Sequence, residues 1–166
     1  MIEAIKSFFL DTVGRELCVF FCSMIPIIEL RLAIPLGAGL GMPAWQTICF
    51  AVVGNLLPVP FLLLLCRWLL SLMHRIRWTM KFAAWLEKRA EHSREKIERF
   101  EFLGMVFFVG IPLPGTGTWT GVLVASVIKM RFWKAVLAIS VGALMAASIM
   151  TLLSYGAVAA FELWFT

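Results

Sequence analysis

Three long stretches carry no charged residue: 32–66, 102–128 and 135–161. Each exceeds the ~20 apolar residues that take a helix across bilayer hydrocarbon. The middle stretch is broken at 110–121, GIPLPGTGTWTG, by two prolines and four glycines. Prolines cannot continue a helix, and glycines permit a tight reversal. The flanking arms, 102–110 and 118–128, would each rise only about 14–17 Å, too little to cross alone. The pattern therefore predicts a re-entrant hairpin over 102–129, followed by a transmembrane helix over 132–164. The first half reads the same way. An apolar arm, 17–28, is followed by IELRLAIPLGAGLGMP and then a long apolar run. This predicts a hairpin over 15–42 and a transmembrane helix over 44–73.

Between the halves, 74–101 is the polar stretch. Glu95/Arg99 and Arg94/Glu98 are opposite charges four apart, which support a surface helix. Trp78, Phe82, Trp85 and Leu86 give it an apolar side suited to headgroup depth. It is read as a cytoplasmic linker. The expected organisation is thus a first repeat, 1–73, opening on a surface segment, the linker, 74–101, and a second repeat, 102–166.

Charge sets the orientation. Nine of the fifteen Lys and Arg lie between Arg67 and Arg99, and Lys129, Arg131 and Lys134 follow the second hairpin. If 102–128 crossed once, these two basic clusters would face opposite sides, against the positive-inside bias. A hairpin returns both to the cytoplasmic face. The hairpins then enter from opposite leaflets, the first opening outward and the second inward.

Composition agrees. The chain is 61% hydrophobic and 15% charged, outside the range of soluble domains. The fold class expected is an all-α integral membrane protein, an inverted repeat of two re-entrant helical hairpins each followed by a transmembrane helix. A net charge of +5 is accounted for by the juxtamembrane clusters, so no nucleic-acid partner is expected. Acidic and basic residues at Glu3, Asp11, Arg15 and Glu16 argue against a cleavable signal peptide. Cys18, Cys22, Cys49 and Cys66 sit in apolar surroundings; Cys18 and Cys22 are four apart on one helical face, but no further Cys or His completes a metal site, and neither a metal nor a cofactor is expected.

An inverted repeat should leave a sequence echo. Ile34-Pro35-Leu36 recurs as Ile111-Pro112-Leu113, each followed by a small-xxx-small pair, Gly37/Gly41 and Gly117/Gly121. Met42, Trp45, Gly54 and Leu56 match Met130, Trp133, Gly142 and Leu144 at a constant offset of 88. On this alignment the second copy is longer between its hairpin tip and its helix.

The candidate substrate-binding residues are polar groups expected at depth. Glu29 and Arg31 follow an apolar arm about two-thirds of a bilayer long. Charges there are costly and mark a cavity or an ion pair. Arg31 offers a fork of donors to an anionic headgroup, and Glu29 is the candidate for proton coupling. The alternative is an ion pair that only pins the hairpin. Asn55, before Pro58 and Pro60, is a third group at depth, lining the path or satisfying backbone freed by the prolines. The second tip brings Pro112, Pro114, Gly115, Thr116, Gly117, Thr118 and Trp119, with hydroxyls and backbone N–H groups. A half-helix starting there would aim its positive end at an anion. No nucleophile–base arrangement appears, so no enzymatic activity is expected.

The segments ELRLAIPLG and GIPLPGTGTWTG, their order, the basic linker and the length resemble the small multi-drug export proteins, a family similar in turn to the DedA and VTT-domain membrane proteins. The resemblance covers about 18–155. It implies paired re-entrant hairpins and a bacterial or archaeal plasma (inner) membrane. Several DedA-type relatives are implicated in moving polyprenyl-phosphate carrier lipid, and eukaryotic ones in scrambling phospholipids. Glu29 and Arg31 match acidic and basic positions near the first hairpin. The second departs, with Pro112, Pro114, Thr116 and Thr118 where DedA-type proteins carry arginines. The expected function is a transporter or flippase of an amphipathic, anionic, polyprenyl-phosphate-like substrate by alternating access, coupled to protons through Glu29. A small-molecule or multidrug exporter and a membrane assembly protein without transport are the alternatives. Membrane lipids are expected partners. Two hairpins and two helices are little to seal a path, so a homodimer is expected.

Overall fold

The computed structural model describes residues 14–73, 94–113 and 115–165. The surface segment expected at the N-terminus, linker residues 74–93 and Pro114 lie outside the described residues. Those described form helices and turns, with no strand among them. The helices are α1 (Gly14–Met24), α2 (Glu29–Gly39), α3 (Ala44–Leu56), α4 (Val59–Met73), α5 (Arg94–Gly110), α6 (Thr118–Val127) and α7 (Phe132–Phe165).

α3 and α4 are separated by a turn at Leu57–Pro58, and together Ala44–Leu72 is long and apolar enough to cross a membrane. So is Phe132–Ala157 within α7. At 1.5 Å per residue these rise about 43 and 39 Å, more than the ~30 Å of hydrocarbon. α5 runs unbroken from the polar Arg94–Glu101 into the apolar arm.

The chain divides into two compact units. One holds 1–58 and 143–166, the other 59–142. In the first, α1, α2 and α3 pack on one another. Val19, Leu30, Ala33, Ile34, Met42, Ala51 and Val52 form its core with Ala143 and Ala147 of α7. In the second, α6 packs against α4 and α5. Val59, Leu63, Val106, Val109, Val122, Ala125, Met130 and Ile139 are buried there.

α7 buries a face that is mostly alanine and exposes large residues. In α7, Ala135, Ala138, Ala143, Ala146 and Ala147 are buried, while Trp133, Leu137, Leu144, Leu152 and Leu153 are exposed. Water would penalise that arrangement; lipid does not, and small residues let helix backbones approach closely.

α2 and α6 end alike. Met42 N–H donates to Gly37 O (3.1 Å) and Gly41 N–H to Ala38 O (3.0 Å), which is a Schellman motif. At an offset of 88, Met130 N–H donates to Ala125 O (3.0 Å) and Lys129 N–H to Ser126 O (3.2 Å). The left-handed residue is Gly41 (φ 69°) in the first and Lys129 (φ 55°) in the second. Four residues then lead into the next helix in both places, 40–43 and 128–131.

The IPL echo has a different outcome. Ile34-Pro35-Leu36 lies inside α2, whereas Ile111-Pro112-Leu113 lies in the turn after α5. The two are not equivalent, because hydrophobic tripeptides around a proline fit both a helix and a turn. The extra length of the second half lies in the turn between its two arms, 111–117 against 25–28, and not between hairpin and following helix.

Candidate functional site

The first turn, 25–28, delivers the chain into α2 at Glu29, whose φ is +46°. A non-glycine residue in this region is strained by roughly 1–2 kcal/mol. Such strain persists where surrounding structure dictates it, and it concentrates at functional positions. Glu29 is also only 7% exposed. A carboxyl side chain is thus held buried, at a strained backbone position, in an apolar helix. Arg31 follows in the first turn of α2, half-buried. Asn55, near the end of α3, is completely buried. These three belong to the same unit, in which α2 and α3 are packed together.

The second turn uses glycine for its unusual backbone: Gly115 has φ +86° and Gly117 φ +153°. Thr116 Oγ1 lies 3.0 Å from Ile111 O and 2.9 Å from Leu113 O, so its single proton serves the turn itself. Thr120 Oγ1 likewise donates to Gly117 O (3.1 Å). Both hydroxyls are committed to local carbonyls, which folds the turn and leaves them less to offer a ligand. Pro112 is half-buried and Thr118 is buried at the start of α6, beside a half-buried Trp119. This cluster belongs to the other unit. The sequence-predicted site residues therefore form two sets, one in each unit.

Two polar groups that sequence reasoning passed over stand out. Tyr155 OH donates to Met42 O (2.8 Å) and lies 2.7 Å from Thr47 Oγ1. With the phenol proton committed to the carbonyl, Thr47 is the donor in the second bond. Arg67 Nη2 donates to Met130 O, and its guanidinium lies 5.8 Å from the centre of the Phe132 ring. A signal was present: Tyr155 is the chain's single tyrosine, and it stands 88 residues after Arg67, the same offset that relates Met42 to Met130. Nearby in the Arg67 unit, Lys134 is ion-paired with Glu101. Among the described residues no group of His, Cys, Asp or Glu is arranged to hold a metal ion.

Removal of the Tyr155 hydroxyl leaves a carbonyl and a threonine without their partner. Tyr155→Phe is expected to destabilise by about 2 kcal/mol. Thr47→Val added to it should cost less than it does alone, since the two share a bond. Thermal unfolding of the singles and the double in detergent checks this.

Helices of this length and apolarity, with large apolar side chains exposed along α7, define an all-helical membrane protein. Residues 29–149 match the family described as "Putative small multi-drug export protein". The chain belongs to that family, and the matched span runs from Glu29 through both hairpin exits into α7. No curated protein and no solved structure matches it.

Proposed function

We propose that this protein is an inner-membrane transporter passing an amphipathic, anionic substrate, such as a polyprenyl-phosphate-like lipid, by alternating access between two re-entrant hairpins. The observation that carries it is Glu29: a buried carboxyl at a strained backbone position, two residues from Arg31, in an otherwise apolar helix. Structural packing alone has no need of either charge at such a place. Arg31 takes the oxyanion of the headgroup, and Glu29 carries a proton in exchange.

The inverted repeat is supported by the matching helix ends 88 residues apart and by the equal four-residue passages into the long helices. Hairpins entering from opposite leaflets place α6's exit and the basic residues after it on the cytoplasmic face. The kinship with DedA-type proteins rests on the two hairpin segments, and the second tip lacks their arginines. A homodimer would complete the seal around the path.

The family's description favours a second reading, export of small drug-like molecules by the same route. Reconstituted liposomes separate the two. Flip of a fluorescent lipid phosphate should fall roughly 10-fold or more in Arg31→Ala, the worth of a charge-assisted bond. Equal flip in wild type and variant sinks the assignment. Efflux of a lipophilic cation that survives Arg31→Ala establishes the drug-export reading instead.

A further inference from the structure

Each hairpin exit is clasped by a side chain from a long helix of the opposite half, and the pairing is reciprocal. Arg67, in α4, bonds the Met130 carbonyl after α6; Tyr155, in α7, bonds the Met42 carbonyl after α2. Donors and acceptors are both separated by 88 residues. The two clasps do the same mechanical work with different chemistry. At Met42 a neutral phenol suffices. At Met130 the donor is a guanidinium with a full charge and five N–H bonds, more than holding one carbonyl requires.

What surrounds Arg67 leaves that surplus available. Its Nε is buried and has no hydrogen-bond partner among the described residues. Glu101 is engaged by Lys134. Phe132 lies beside the guanidinium and lends it a face of the ring without a counter-charge. In the same exit turn Lys129 and Arg131 are exposed. A guanidinium held by one neutral carbonyl is easily outbid. Charge-assisted, bidentate bonds to an oxyanion are shorter and about twice as strong as neutral ones.

We propose that Arg67 is an oxyanion-receiving residue, and that a phosphate group arriving there draws it off the Met130 carbonyl and releases the exit turn of α6. The Tyr155 clasp, being neutral, does not respond to the anion. This inference rests on the reading of the chain as a carrier of anionic amphiphiles; it adds a loading residue and makes one of the two clasps sensitive to substrate.

Arg67→Tyr is the informative variant, because it installs the chemistry of the other clasp, keeping a donor for Met130 O and removing the cation. Purified protein in neutral detergent is titrated with dodecyl phosphate, inorganic phosphate and dodecyltrimethylammonium, and amide hydrogen exchange is followed over 126–135 and 38–47. Dodecyl phosphate is expected to bind wild type and to speed exchange several-fold in 126–135 only. Arg67→Tyr should bind it about 10-fold or more weakly and show no such change. Arg67→Lys, which keeps the charge without the fork, should bind with intermediate affinity. A response to inorganic phosphate as well identifies a free anion as sufficient; a response confined to dodecyl phosphate identifies a lipid-borne one. Undiminished binding in Arg67→Tyr, or equal binding of the cation, overturns the proposal and makes Arg67 a basic inside-facing clasp and no more. Because the transport reading is tested at Arg31 by lipid flip, it survives that outcome.

Discussion

Gly54→Ala should lower the melting temperature of the purified protein by about 10 °C, the effect of about 3 kcal/mol of overpacking in a chain of this size. A Cβ at Gly54 would stand 2.4 Å from the Phe20 carbonyl oxygen and 2.2 Å from Ser23 Oγ. The serine hydroxyl can rotate, although it then gives up its bond to Phe20 O (2.7 Å). The carbonyl belongs to the α1 backbone and cannot move without parting α1 from α3. Gly142→Ala meets the Val106 carbonyl at 2.8 Å and Val109 Cβ at 2.8 Å, so it should cost less. Gly104 has nothing within 4 Å, and Gly104→Ala should instead raise stability slightly through helix propensity. Equal melting temperatures for Gly54→Ala and Gly104→Ala would show that α1 and α3 do not depend on the close approach.

The second large effect is functional. Glu29→Gln keeps the size and shape of a side chain that is 7% exposed, but it removes the ionisable group. If Glu29 exchanges a proton in every cycle, lipid-phosphate flip should fall roughly 10-fold or more, the worth of a buried carboxylate's charged hydrogen bonds. Whatever flux remains should be flat with pH, whereas wild type should vary with it. A variant retaining the wild-type pH profile removes Glu29 from the mechanism. Melting temperature measured on the same preparations separates loss of coupling from loss of fold.

Much of the architecture was legible along the chain. Uncharged runs longer than a bilayer crossing, broken by proline and glycine at a fixed place, are local patterns that record which backbone meets lipid and where it cannot stay helical. The long apolar segments from Ala44 and Phe132, the turn after Gly110 and the belonging to a membrane class follow from those patterns. The offset of 88 was readable as well, because Met42, Trp45 and Gly54 recur with the spacing that the two hairpin exits share. The IPL tripeptides misled for the same reason: a short apolar motif specifies no conformation until its neighbours do.

Tertiary structure decided the rest. That Glu29 takes a left-handed backbone and that Gly54 sits against the Phe20 backbone depend on how elements meet. The clasps are the clearest case. Arg67 and Met130 are 63 residues apart, and Tyr155 and Met42 are 113 apart. Hydropathy reports the medium a residue faces, so it made Arg67 a cytoplasmic-side charge and gave Tyr155 no role. Which carbonyl each would bond was settled by packing alone, because partners so distant in sequence are chosen only when folding brings them within reach.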